Sequence, residues 1–134
     1  MVQRLYIKDE PQAVVLIVCT MLERLVEDLL VEIMTKHSMD DDAIDDELRR
    51  FERFSDRAEC LFKKYSGMTL AKAIESIHIK GFWQTWKDVK KKRDGFIHGK
   101  ASMISRSDGQ KSFVLALDAQ NVFSQLHNKY SLRQ

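Results

Sequence analysis

The chain has 134 residues, of which 44% are hydrophobic and 31% charged, and its net charge is +2. That length predicts one domain whose core needs no disulfide or metal to hold it. One proline and five glycines favour helices over a turn-rich β architecture, and so small a charge excludes binding to nucleic acid through bulk charge alone.

The charges are segregated: DDDAIDDE, residues 40–47, is acidic, and KDVKKKR, residues 87–93, is basic. A local basic stripe attracts a phosphate backbone even when net charge is small. Cys19 and Cys60 lack metal-ligand spacing and form no disulfide framework, so reduced thiols are expected. The opening MVQRLYIKDEP has no apolar core of signal-peptide length. No apolar run approaches the ~18 residues that a bilayer requires. The expectation is a cytoplasmic protein with no membrane partner.

In chain order, the first element opens near Pro11, a residue suited to a first helical turn, and runs to about Lys36. Its stripe is Val18, Leu22, Leu25, Val26, Leu29 and Ile33. Upstream, AVVLIVC is apolar all round and must be covered on every side, by the protein's own core or by a second copy. Asp40 to Asp42 then offer a cap and negative charge at a helix start. Ile44, Leu48, Phe51, Phe54, Ala58, Leu61 and Tyr65, spaced by three or four, predict one long second helix that stops near Gly67. The acidic run is read as a solvated helix start, because hard-cation loops need a turn glycine and a ligand spacing that are missing here.

Thr69 caps a short third helix through Leu70, Ala73, Ile74 and Ile77. A fourth begins near Gly81, carries FWQTWKDVKKKRDGFIHG and ends at Gly99. Residues 101–116 read as a small β-hairpin turning at SDGQ, and Asp118 as the cap of a last helix with Val122, Phe123, Leu126 and Tyr130 inward. The sum is an all-α bundle of four or five helices, with one short hairpin before the last.

The fourth helix raises the question of function. Its stripe Phe82, Trp86, Val89 steps next to Arg93, which lies within about 20° of Trp86 on a helical wheel. An arginine where a leucine is expected must be paired, face a cleft or reach water at the helix end. A structural pair with Glu23 or Glu27 of the first helix is the alternative to a chemical role. His98 does not share that face, since five residues of regular helix turn through about 140° and rise about 7.5 Å. Arg93 and His98 therefore meet in one site only if Gly95 breaks the helix or a second copy contributes its own pair.

These residues, RDGFIHG after a lysine run, resemble the R-x(4–6)-H signature of HEPN domains, including the polar residue after the arginine. The order of elements is similar too: two long helices, then the motif late in an all-α bundle. The resemblance implies a metal-independent endoribonuclease that acts as a homodimer with two motifs facing one cleft. It also implies a role as a toxin or in phage defence, opposed by an antitoxin or regulatory protein. On that reading Arg93 and His98 are catalytic and Asp94 orients one of them, with Glu23 a weaker candidate for the same support. Lys90, Lys91, Lys92 and Lys100 hold the RNA backbone, and no metal or cofactor is expected. HEPN toxins silenced by a nucleotidyltransferase carry a tyrosine two residues after the histidine; here that position is Lys100, so such control is not implied. The competing readings are a catalytically silent HEPN-like module that binds RNA or protein, and an unrelated helical adaptor. His37, His78 and His127 have no metal-ligand spacing.

Overall fold

The computed structural model describes residues 10–77, 79, 81–99 and 104–130. Among them the chain is helical throughout and forms no strand. Helix α1 is Pro11–Lys36 and α2 is Asp41–Arg50. Helix α3 runs without a break through Phe54–Asp56, the π-helical turn Arg57–Leu61 and Phe62–Ser66. Helix α4 is Leu70–Glu75, α5 is Phe82–Ile97 and α6 is Arg106–Tyr130.

Local chemistry sets most of these ends. Asp40 accepts a hydrogen bond from the Ala43 amide at 2.8 Å, and Thr69 accepts one from the Lys72 amide at 3.3 Å, so each caps the helix that follows. Gly67 and Gly99 adopt positive φ, at 92° and 67°, just past the ends of α3 and α5, where a side chain would be strained.

The expected long second helix is two. Its apolar spacing continues across residues 51–53, but the backbone breaks there, with Phe51 the C-cap of α2. Arg57, from the π turn of α3, makes the break tolerable. Its Nε donates to the Phe51 carbonyl at 2.8 Å and its Nη2 to the Leu48 carbonyl at 3.1 Å, which satisfies acceptors that a helix end leaves open. Its Nη1 donates to Glu27 at 3.0 Å.

The expected hairpin is absent: residues 106–116 are the first turns of α6, while 101–103 lie outside the described residues. Ser105 and Asp108 form a capping box. The Ser105 amide donates to the Asp108 carboxylate at 2.8 Å, and the Asp108 amide donates back to the Ser105 hydroxyl at 3.1 Å. Gly109 is not a turn residue; a Cβ there would stand 2.9 Å from Pro11 Cβ, so the glycine admits the start of α1. Asp118 lies inside the helix rather than at its start.

The described residues gather into two compact units. One takes α1 up to Leu22, α5, and α6 up to Asn121; its buried residues include Val15, Val18, Leu22, Phe82, Trp86, Val89, Leu115 and Ala119. The other takes α1 from Glu23, α2 to α4, and α6 from Val122; its buried residues include Leu29, Leu30, Met34, Phe62, Leu70, Ile74, Phe123 and Leu126. Each fully buried aliphatic or aromatic side chain contributes about 1.5–3 kcal/mol by leaving water. Cys19 is buried, Cys60 is exposed, and neither is in a disulfide. No helix among the described residues is long and apolar enough to cross a membrane.

Candidate active site

Helix α5 belongs to the first unit and carries the motif on an unbroken run through Gly95 to Ile97. The glycine does not interrupt the helix, so His98 does not fold back toward Arg93 within one chain. The inward stripe holds: Phe82, Trp86 and Val89 are buried, and the Arg93 side chain that continues it is 14% exposed. The Phe82 and Trp83 rings meet Trp86 edge to face, at 6.0 and 5.4 Å between centroids.

Asp94 holds this arginine. Arg93 Nε and Nη2 both donate to Asp94 Oδ1, at 3.1 and 2.9 Å. Lys90, one turn back, donates to Asp94 Oδ2 at 3.0 Å. Both carboxylate oxygens are thus engaged by cations. Partial burial acts to raise the Asp94 pKa, but the hydrogen bonds and charges of Lys90 and Arg93 outweigh it and hold the group below the ordinary carboxylate value. The guanidinium gains a fixed orientation from a residue whose own helix places it.

His98 is the C-cap of α5, exposed, with its amide donating to the Asp94 carbonyl at 3.1 Å. Its imidazole makes no hydrogen bond to the described residues. Asp94 is clamped to Arg93, not to His98. Glu23 is half-buried on α1 and belongs to the second unit. Glu27, the other acid considered for Arg93, is bonded to Arg57 instead, also in the second unit.

The lysine run does not act as one strip. Lys90 is tied to Asp94 and partly buried, whereas Lys91 and Lys92 are exposed. Lys100 lies outside the described residues, as does His78. Lys91 and Lys92 line a cleft of about 420 Å³ with Asp88, Val89, Asp108 and Lys111, wholly within the first unit. Sequence reading missed Lys111 because it assigned that residue to a hairpin.

The other candidate groups are structural. His37 donates from Nε2 to the Tyr65 carbonyl at 3.0 Å, and His127 Nδ1 pairs with Glu32. Among the described residues no group of three or more His, Cys, Asp or Glu side chains could hold a metal ion. No protein-family model, curated protein or solved structure matches this chain.

Proposed function

We propose that this chain is a metal-independent endoribonuclease of HEPN type, with Arg93 and His98 as its catalytic residues and Asp94 positioning Arg93. The observation that carries the reading is an inward-facing guanidinium held by its neighbouring carboxylate, five residues before an exposed histidine on the same helix. Histidine as base would take the proton from a 2′-OH, whose oxygen attacks the adjacent phosphorus. The P–O5′ bond breaks and the proton taken from the 2′-OH passes, from the imidazolium or through water, to the leaving 5′-oxygen, giving a 2′,3′-cyclic phosphate and a 5′-hydroxyl. An arginine fork stabilises the charge that builds on the phosphoryl oxygens, an effect worth several kcal/mol where water is excluded.

Regular α5 keeps Arg93 and His98 about 140° apart in one chain. The enzyme reading therefore requires a homodimer that presents the arginine of one copy beside the histidine of the other. A toxin or phage-defence role, with an antitoxin or regulatory protein as partner, comes with the resemblance of RDGFIHG to that family.

A second reading is favoured by the low exposure of Arg93, 14%, and its bonds to Asp94. In it the pair is structural, and the domain binds RNA or protein without cutting. Incubating the protein with total RNA and with tRNA in EDTA, beside His98→Ala, separates the two. Cutting by the wild type alone, with cyclic-phosphate ends, supports the enzyme; equal behaviour of both proteins supports the binding module.

A further inference from the structure

We infer that the cleft between α5 and α6 grips the phosphodiester backbone of single-stranded RNA, with Lys91, Lys92 and Lys111 as its cationic contacts. The inference rests on the RNA reading above but not on its chemistry, because a silent binding module would use the same cleft.

Its lining carries three lysines and two aspartates. The aspartates are already served by their own chain: Asp108 accepts from the Ser105 amide and hydroxyl, at 2.8 and 3.0 Å, and Asp88 accepts from Gln84 at 3.0 Å. The lysines are not. Lys91, Lys92 and Lys111 are exposed, and none has an ion-pair or hydrogen-bond partner among the described residues. Three lysines from two helices thus line one concavity with two carboxylates, which leaves the lining net positive, and the ligand chemistry that suits it is anionic. Lys90, the one lysine of the run on another face, is the one that is neutralised.

Register favours a polymer over a lone anion. Lys91 and Gly95 stand at i and i+4 of α5, and His98, its C-cap, follows at i+7. Seven residues return to within about 20° of the same direction and rise about 10.5 Å. His98 therefore projects from the cleft's side of α5, with a residue that has no side chain between them. A backbone held at Lys91 and Lys92 runs along this strip toward the imidazole. Such a basic groove supplies the backbone-tracking part of a non-specific single-strand site, the part whose affinity falls with salt.

The test measures binding of a fluorescent single-stranded RNA to the His98→Ala protein, which separates affinity from cleavage. Lys92→Gln and Lys111→Gln are added to it singly and together, with exposed Lys63→Gln as a control for net charge. Expected is a several-fold weaker affinity for each cleft variant. The slope of log affinity against log salt should flatten by about 0.7 per lysine removed. Lys63→Gln should change neither, and all variants should melt with the parent. Unchanged affinity and slope in Lys111→Gln would overturn the proposal. So would displacement of the RNA by inorganic phosphate at concentrations that a mononucleotide matches, which would assign the cleft to a free anion. RNA that is bound through the cleft but never cut by the wild type leaves this inference standing and removes the nuclease. RNA that is cut with a KM indifferent to Lys92 and Lys111 does the reverse.

Discussion

An arginine that faces inward beside Trp86 and Val89 is worth its desolvation only if its fork is used. Arg93→Lys keeps the charge and loses the bidentate geometry. Under the enzyme reading cleavage should fall roughly 10²-fold, in the range for loss of one oriented donor, with little change in melting. Asp94→Asn tests the clamp separately. Its rate should fall less than that of Arg93→Lys, and single-turnover kinetics should show the loss in the chemical step. The folded pKa of Asp94 lies below the ordinary value. Its clamp is therefore complete above the ordinary carboxylate range and is lost as pH falls through the depressed value. His98 is an exposed C-cap, so His98→Ala should alter melting by no more than a surface change does, about ±0.5 kcal/mol. A larger drop in calorimetry would mean that the imidazole has a structural role.

At the scale of elements, two junctions invite measurement. Glu47 is a buried carboxylate on α2 that accepts from Lys64 at 2.6 Å, from Tyr65 at 2.7 Å and from Arg50 at 3.2 Å, tying α2 to α3. The hydrogen bonds from Lys64 and Tyr65 hold its pKa below the usual value against the opposing effect of burial. Glu47→Gln should cost about 1–2 kcal/mol near neutral pH, read by denaturant melts. That cost should shrink on acidification, because the wild type loses its advantage as pH falls through the depressed folded pKa. At the other junction, Gly109→Ala sets two effects against each other. Alanine gains about 1 kcal/mol in helix propensity, but a Cβ 2.9 Å from Pro11 Cβ and 3.1 Å from Pro11 Cα meets atoms that cannot swing away. Overpacking of about 1–3 kcal/mol wins, and melting should fall by about 4 °C.

These elements also show where the sequence was readable. Both ends of α1, the starts of α2 and α4 and the span of α5 follow from stripes and caps visible in the letters, whereas α4 ends at Glu75, short of the expected Ile77. The start of α6 did not, because its buried face begins with Asp108, Gly109 and Ser112, small or polar residues that no apolar stripe includes. Val114 and Leu117 point outward, 52% and 64% exposed, so the local pattern imitates strand alternation. SDGQ could be a turn or a capped helix start, and the contact with Pro11 that decides it is far away in sequence. At the site, the inward placement of Arg93 was legible from the wheel. That Asp94 orients one of the pair was legible too; that it bonds Arg93 rather than His98, that Lys90 is lost to that carboxylate and that Lys111 enters were not, since each depends on rotamers or on a neighbouring helix.

For the molecule as a whole, the critical question is whether two copies complete one site. If the arginine of one chain serves the histidine of another, mixing Arg93→Ala with His98→Ala should restore cleavage that neither has alone. The mixed pair then keeps one intact site, from the unaltered arginine of one copy and the unaltered histidine of the other. A mixture as inert as its components, although light scattering shows dimers, would overturn the shared site.

The two thiols turn this into a direct observation without any engineered cysteine. Cys19 is fully buried and Cys60 is exposed. A maleimide dye should attach once per native chain, at a known position on α3. Donor- and acceptor-labelled batches, mixed and diluted, would report assembly by energy transfer, and the concentration at which the transfer disappears would give the association constant. Adding RNA or a candidate inhibitor to the same cuvette would show whether either one alters pairing.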